Sequence, residues 1–264
     1  MTPSVAAIVA HPDDETLIAG GTLALAADAG ALTGAVALTR GELGPIADPA
    51  LATRETLAEV REGELAAAAR ELGLDWTACL GYPDGELAWA DADVVATELA
   101  ALLRPHAPTI VLTFGADGVY GHPDHAGARE HALRAVERLA AEGTANPAVY
   151  ETVWAPDVVP GLAAAARKRG LPTALWGLEP EAFGSDDQLA TVAVDVLPAL
   201  DRRARALRAH ATQFGPDHLL SALPGDLAER HLGAESWRLA RAGAAGGDAL
   251  DRLLAPHARA VAAK

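Results

Sequence analysis

Uninterrupted apolar runs of strand length, separated by helical stretches, constrain the fold of this 264-residue chain more than any other feature. Four such runs occupy the first half of the sequence: Val5–Ala10, Ala35–Thr39, Trp76–Leu80 and Thr109–Phe114. Strands without polar alternation are buried on both faces, which is typical of a parallel sheet covered by helices. The stretches between the runs predict helices over Thr16–Ala29, Arg54–Leu72 and Asp93–Leu103. The alternation therefore predicts a doubly wound α/β fold with a mostly parallel sheet.

The second half of the chain is less regular. Its pattern predicts strands at Ala148–Trp154 and Ala190–Val196, a weaker strand at Thr173–Leu178, a helix over Pro198–Thr212 and a last strand at Glu235–Arg241. The sequence contains no long linker and no internal repeat, so we expect a single domain over residues 1–264 with its core at 4–215. The Ala- and Gly-rich tail, residues 242–264, is expected to form a loosely held helix.

Charge and cysteine content limit the class of partner. A formal net charge of −15 argues against nucleic acid and against an anionic membrane surface, because both require lysine and arginine. No run approaches the roughly 18 apolar residues of a membrane span, so no membrane insertion is expected. Cys79 is the only cysteine, which fits a reducing, cytoplasmic location. A basic run predicts a solvated helix face or, in a homo-oligomer, a salt-bridged subunit interface; it comprises Arg202, Arg203, Arg205 and Arg208.

Two clusters of metal-binding side chains follow the first and fourth predicted strands. His11-Pro12-Asp13-Asp14-Glu15 comes directly after Val5–Ala10, and His122-Pro123-Asp124-His125 follows Thr109–Phe114. In open α/β sheets, ligands bind at the carboxyl ends of the strands, where the strand order reverses. If the first four strands are ordered 3-2-1-4, the first and fourth are neighbours. Both clusters then meet in one crevice.

Together the clusters can supply three protein ligands and leave an open position, as a catalytic metal site requires. Asp13 and Asp14 are adjacent, so one of them can bind the metal while the other lies beside a metal-bound water. We assign His11, Asp14 and His125 as ligands and Asp13 as the general base. Either aspartate alone could simply cap the following helix, but two such clusters at the ends of compatible strands make that explanation weak.

Further side chains of the second cluster are candidates for the reaction itself. His122 and His125 are three residues apart at a predicted helix start, so they can share a face. With His125 as a ligand, His122 can donate to a developing oxyanion or to the leaving group, and Asp124 is a candidate to orient it. Tyr120 offers a phenol donor at the same mouth.

The sequence resembles the PIG-L/LmbE-like family of zinc-dependent N-deacetylases. The resemblance rests on Ala10–Glu15 and His122–His125, with support from Thr39–Glu42, from Arg61 and Glu64, and from Asp195–Gln213. It implies a Rossmann-like fold and a Zn²⁺ cofactor bound by the assigned ligands. It also implies hydrolysis of an N-acyl group, usually acetyl, from an N-acetylglucosamine-type or related amino-sugar conjugate.

The same resemblance implies residues that contact the small-molecule substrate. Arg61 and Asp84 match sugar-contacting positions, and Glu42 matches a position that lines the pocket. The Tyr120-Gly121-His122 segment is similar to the branch of the family that acts on precursors of small thiols, where a tyrosine helps to stabilise the oxyanion.

Other functions stay open at this point. An amidase could use the same metal to remove a larger acyl group from a thiol–sugar conjugate, and a non-catalytic sugar-binding module could share the fold. A nucleotide-dependent enzyme is disfavoured, because the G-x-G-x-x-G fingerprint is absent from the sequence. Imidazole and carboxylate ligands suit Fe²⁺ and Co²⁺ as well as Zn²⁺.

Overall fold

The computed structural model describes residues 2–184, 190–221 and 223–261, in which strands and helices alternate along most of the chain. The strands are β1 (Ser4–Val9), β2 (Leu32–Thr39), β3 (Trp76–Tyr82), β4 (Ile110–Thr113), β5 (Ala148–Val153), β6 (Val192–Asp195), β7 (Ala234–Arg241) and β8 (Ala258–Ala260). The helices are α1 (Asp14–Asp28), α2 (Leu57–Leu72), α3 (Ala92–Leu103), the single turn α4 (Gly118–Gly121), α5 (Pro123–Ala141), α6 (Val158–Lys168), α7 (Leu200–Ala209), α8 (Gly225–Leu232) and α9 (Ala249–Leu253).

The described strands form one sheet with the order β3-β2-β1-β4-β5-β7-β6-β8. The first five are parallel, and β1 pairs with β2 on one side and with β4 on the other. The remaining pairs, β5 with β7, β7 with β6 and β6 with β8, are antiparallel. The predicted order 3-2-1-4 and the predicted α/β class with a mostly parallel sheet are confirmed.

Close packing explains the apolar sequence of β1 and the glycines of α1. Every residue of β1 is buried. The helices α1 and α5 pack against this strand, α2 and α7 pack against α1, and α3 packs against α5. A Cβ atom on Gly21 would lie 2.4 Å from the Cβ of Val196, which is closer than two carbons can approach. The glycine therefore lets α1 pack against the chain that follows β6.

The predicted strand at Thr173–Leu178 was wrong. Only Ala174 makes a β-bridge there, to His218, and the bridge is isolated from the sheet. Trp176 has a φ of 53° and Gly177 a φ of 84°, which are left-handed conformations that a strand cannot contain.

The prediction for the arginine run was also wrong for Arg203. Arg203 is buried, and its guanidinium donates to the carbonyl oxygens of Thr16 at 3.2 Å and Leu232 at 3.1 Å. Arg202 donates to the carbonyl oxygen of Leu72 and to Asp28. Main-chain carbonyl groups of the same chain therefore take up the Arg203 guanidinium and remove it from solvent, whereas Arg202 stays partly exposed beside Asp28.

The C-terminal part of the chain contributes strands to the same sheet. β7 lies between β5 and β6, and β8, within the segment 242–264, pairs with β6. α7 ends at Ala209, three residues before the predicted end, so that residues 210–213 turn towards the first helix. Among the described helices, none has the length and apolar character needed to cross a membrane.

Candidate metal centre

The two clusters meet at the carboxyl ends of β1 and β4. These strands are hydrogen-bonded neighbours, so the chain leaving each of them reaches the same edge of the sheet. His11 follows β1, Asp14 opens α1 and His125 lies in the first turn of α5. All three side chains are buried. The predicted juxtaposition of the two motifs is therefore present in the fold.

Asp14 lies between the two histidines. Its Oδ2 atom is 3.2 Å from Nδ1 of His11, and its Oδ1 atom is 3.3 Å from Nε2 of His125. The backbone N–H of His11 donates to Asp14 Oδ2 at 2.8 Å and fixes the carboxylate. One donor atom from each residue lies within 4.8 Å of the other two. Two nitrogens and one oxygen thus converge on one point.

The hydrogen bonding of His125 tests whether a metal ion fits this ligand group. Its Nδ1 atom is 3.0 Å from the carbonyl oxygen of Gly118, which places the proton on Nδ1 and leaves the lone pair on Nε2. Nε2 is buried and has no hydrogen-bond partner among the described residues. Neighbouring ligands in a tetrahedral zinc site lie ~3.3 Å apart, given bond lengths of about 2.0–2.1 Å. The separations of 3.2 Å and 3.3 Å, each to a different oxygen of Asp14, are close to this value, and one donor atom from each residue lies within 4.8 Å of the others, so the residues fit a divalent ion.

Carboxylates on the far side of His11 hold its ring. Nε2 of His11 is 3.1 Å from Oδ1 of Asp84 and 3.4 Å from Oδ2 of Asp124. Burial alone would lower the pKa of His11, but Asp124, Asp14 and Asp84 hold it well above its ordinary value. A carboxylate behind a ligand histidine fixes the ring and raises its basicity. Asp84, predicted only as a sugar contact, therefore also supports a ligand.

A second group of donors also converges within 4.8 Å, formed by His11, His122 and Asp124. The Asp124 carboxylate, however, already accepts the backbone N–H groups of Gly85 at 2.7 Å and Leu87 at 3.0 Å. A carboxylate engaged in this way is better suited to hold the His11 ring than to bind an ion. The first group, with its unpartnered imidazole nitrogen, is the better metal site.

Asp13 is held in a strained backbone conformation beside the ligands. Its φ of 124° lies where residues other than glycine are rarely found. Nη2 of Arg61 donates to the Asp13 carboxylate at 3.0 Å and to the carbonyl oxygen of Pro12 at 2.6 Å. Burial raises the pKa of Asp13 to about 7, although Arg61 acts in the opposite direction. A carboxyl group with such a pKa can both accept and return a proton near neutral pH.

Glu15 holds Asp13 from the other side and is itself held by His210. Oε2 of Glu15 accepts the backbone N–H of Asp13 at 2.9 Å, and Nε2 of His210 donates to Oε1 at 2.8 Å. Both side chains are completely buried. Burial alone would raise the pKa of Glu15 and lower that of His210, but their pairing lowers the first and raises the second. A buried ion pair thus supports the strained segment that carries Asp13.

His122 precedes α5, and its ring is fixed by the backbone. Its Nδ1 atom accepts the backbone N–H of Asp124 at 3.2 Å, so a neutral ring carries its proton on Nε2. Burial, together with His125 and His11, lowers the pKa of His122 to about 4. The predicted orientation of His122 by the Asp124 carboxylate was wrong, because the backbone N–H does this and the carboxylate faces His11.

An open cleft of 370 Å³ lies over the ligand group. Arg61, Asp84 and Tyr120 border it, as does Trp176. Burial raises the pKa of Tyr120, so its phenol stays protonated and can donate. The prediction that Glu42 lines the pocket was wrong. Its Oε1 accepts the backbone N–H of Asp84 at 3.0 Å, which places it behind the cleft wall.

Similarity to known proteins agrees with this geometry. Residues 6–136, which contain both clusters, match the family model described as PIG-L, GlcNAc-PI de-N-acetylase. The chain is 35% identical to a 1D-myo-inositol 2-acetamido-2-deoxy-alpha-D-glucopyranoside deacetylase of Streptomyces griseus, over 88% of this chain and 81% of the relative. The chain belongs to the PIG-L family. The predicted family is confirmed.

Two solved structures have the same fold as this PIG-L protein. N,N'-diacetylchitobiose deacetylase from Pyrococcus horikoshii is 25% identical and superposes with a TM-score of 0.59, over 89% of this chain and 83% of its own. GalB, a 4-carboxy-2-hydroxymuconate hydratase from Pseudomonas putida, is 22% identical with a TM-score of 0.61, over 91% of this chain and 97% of its own. The second likeness shows the fold alone. Since a fold can carry different reactions, the site must decide the function.

The sequence motifs of this PIG-L protein anticipate which side chains meet, but not what supports them. Glu15 and His210 are 195 residues apart, and no local pattern predicts their pairing. Arg61 was expected at the sugar and is found holding Asp13. No local sequence signal points to either contact, because Arg61 and His210 lie far along the chain from the motif that they support.

Proposed function

We propose that this protein is a zinc-dependent N-deacetylase that hydrolyses the acetamide of an N-acetylglucosamine-type conjugate, such as the inositol conjugate named for its Streptomyces relative. The observation that carries the proposal is the buried Nε2 atom of His125, which has no hydrogen-bond partner in the described part of the chain and faces Asp14 within a group that also contains His11. Asp13, strained and outside the ligand group, stands next to it. A sugar-binding module would need no such carboxylate.

In this proposal each residue of the metal centre has a separate role in the reaction. His11, Asp14 and His125 would hold the ion, which when bound supplies Lewis acidity and lowers the pKa of a water molecule. Asp13 takes a proton from this water as the water oxygen bonds to the carbonyl carbon. Nε2–H of His122 donates to the oxyanion that develops on the carbonyl oxygen.

The reaction is completed by return of the proton. The C–N bond breaks, its electron pair remains on the amine nitrogen, and the proton held by Asp13 passes to that nitrogen. The products are acetate and the free amino sugar. A pKa of about 7 suits Asp13 to both steps. Tyr120 supplies a second donor at the mouth of the cleft.

The substrate in this proposal is a small polar molecule that occupies the open cleft. Arg61 and Asp84 border the cleft and keep their proposed contacts with the sugar. The acidic chain supports the absence of a nucleic-acid partner, and the single cysteine, Cys79, supports a cytoplasmic location.

Removal and return of the metal test the ligand group. After chelation the protein is expected to lose acetate release, and one equivalent of Zn²⁺ should restore it. Zn²⁺ at 100 times its Kd should raise the free energy of unfolding of the wild-type protein by about 2.7 kcal/mol. His125→Ala should show neither this gain nor stoichiometric zinc. Equal zinc content in both proteins would refute the ligand group. Higher activity with Fe²⁺ or Co²⁺ than with Zn²⁺ would make that ion, and not zinc, the metal of the proposed enzyme.

His122→Ala tests the oxyanion donor. Loss of one such donor lowers kcat by about 10²–10³-fold in other hydrolases, and a similar loss is expected here with metal content unchanged. His122→Gln retains a side-chain N–H and should recover part of the rate. Steady-state acetate release with metal analysis of each variant provides the measurement. An unchanged kcat in His122→Ala would remove this residue from the reaction.

A further inference from the structure

A narrow apolar cavity adjoins the ligand group. Its volume is about 30 Å³. Asp14 and His125 form one part of its wall, and every other described residue that lines it is aliphatic or aromatic. The cavity and the open cleft share Asp14, Leu17, Tyr120 and Trp176, so they abut at the proposed ion.

The two spaces differ in what they can accept. An amide carbonyl at the ligand group has two substituents, the amine and the acyl chain, which point in different directions. The cleft of 370 Å³ contains Arg61, Asp84 and His122 and can satisfy sugar hydroxyls. Away from Asp14 and His125, the described walls of the cavity are aliphatic or aromatic, so burying sugar hydroxyls there would be costly. A hydrocarbon chain is the part of an N-acyl sugar that the cavity can hold.

The cavity walls are fixed by an unusual backbone. Val119 and Trp176 both line the cavity, and both have a positive φ, 67° and 53°. Positive φ is especially unfavourable for a β-branched residue such as valine. The backbone N–H of Gly184 donates to the Val119 carbonyl at 3.0 Å, and Nε1 of Trp176 donates to the carbonyl oxygen of Gln213 at 3.0 Å. These bonds hold both side chains in the wall despite the strain.

The volume sets the length of chain that fits. The cavity is small, although larger than the roughly 10–15 Å³ that one water molecule needs, so it can hold a short hydrocarbon chain of a few carbon atoms. An acetyl group has one carbon beyond the carbonyl, and propionyl and butyryl groups have two and three. Val159, Leu162 and Phe183 line the cavity and are buried, so their side chains limit the length of chain that it can accept.

We propose that this cavity is an acyl pocket and that the enzyme hydrolyses N-propionyl and N-butyryl amino sugars more efficiently than the N-acetyl form. The inference rests on the proposed function and extends its substrate class. The reaction is the same hydrolysis: water oxygen bonds to the acyl carbon, the C–N bond breaks and the amine receives the proton. The products are a short-chain carboxylate and the amino sugar.

A chain-length series provides the test. The zinc-loaded protein is assayed for free amine with N-acetyl, N-propionyl, N-butyryl and N-hexanoyl glucosaminides of one aglycone. Burial of each methylene should raise kcat/KM about fourfold up to butyryl, and hexanoyl should fall below butyryl. A steady decline from acetyl onwards would overturn the pocket while leaving the deacetylase proposal standing. The proposal would also be wrong if kcat/KM rose with the length of an alkyl aglycone while the acyl group stayed acetyl, because the cavity would then bind the aglycone.

Variants of the lining residues Val159, Leu162 and Phe183, together with a binding measurement, complete the test of the acyl pocket. Leu162→Phe should lower the ratio of kcat/KM for the butyryl substrate to kcat/KM for the acetyl substrate. If the phenylalanine impairs folding, the smaller change Val159→Leu should lower the same ratio to a lesser extent. Phe183→Leu should move the optimum towards longer chains. Calorimetric affinities of acetate, propionate and butyrate for the zinc-loaded protein should rise about fourfold per methylene. Such a rise without hydrolysis of any amide would support the pocket and refute the proposed function, whereas equal affinities would refute the pocket.

Discussion

Asp13→Asn is expected to lower kcat for the N-acetyl substrate by about 10²–10⁴-fold with no loss of bound zinc, because an amide cannot accept the proton of the attacking water. The substitution should leave the fold intact. Its amide oxygen can still accept the hydrogen bond from Arg61, and asparagine has nearly the shape of aspartate, so it adds no steric demand to the backbone with a φ of 124°. Single-substrate kinetics and zinc per chain are measured on the same preparation.

The neighbouring residue provides the matched control. Asp14→Asn makes the same exchange of one carboxylate oxygen for an amide nitrogen, but in a group whose two oxygens lie 3.2 Å from His11 and 3.3 Å from His125. We expect this variant to lose zinc and activity together. If Asp13→Asn loses zinc as well, Asp13 is a ligand and not the base. If it keeps zinc and near-normal turnover, another group takes the proton.

The first half of the fold could be predicted because most of its strands, β1, β2 and β4, are buried on both faces, while the edge strand β3 is only partly buried but also lacks charged residues. Continuous apolar runs such as that of β1 can be located without knowing their neighbours, and glycines such as Gly73 end the helices between them. The segment at Thr173–Leu178 failed for the converse reason. Its apolar side chains line a cavity through a backbone with positive φ at Trp176, and apolar content alone cannot distinguish this from a strand.

The residues of the candidate site could be predicted where they lie within one of the two short sequence motifs. Ligands that follow a strand are brought together by strand order, and this order could be inferred from connectivity. The supports of the site depend on distant contacts. Asp84 reaches His11 from the loop after β3, and Arg61 reaches Asp13 from α2. The arrangement becomes visible only when the helices are packed.

His210→Ala is expected to lower the free energy of unfolding by about 3–5 kcal/mol, because it leaves the Glu15 carboxylate buried without its partner. Activity should fall as well, through kcat more than KM, since Glu15 would no longer hold the backbone N–H of Asp13 in place. Urea unfolding and acetate-release kinetics measure the two effects. His210→Gln, which can still donate to Glu15, should recover part of both. Unchanged stability in His210→Ala would show that the pair is not formed.

The pairing can be separated from simple loss of packing by charge and by pH. In the double variant Glu15→Gln/His210→Ala no charge is left unpaired, so it should be more stable than His210→Ala alone although it contains fewer native groups. The pKa of His210 is raised in the folded protein. Its contribution to stability is therefore complete below its ordinary pKa of 6.5 and is lost as pH rises through the raised value. Wild-type protein should lose more stability than His210→Gln over that rise, and parallel pH profiles would mean that His210 is neutral in the fold and that Asp13 depends on Glu15 without a charged partner.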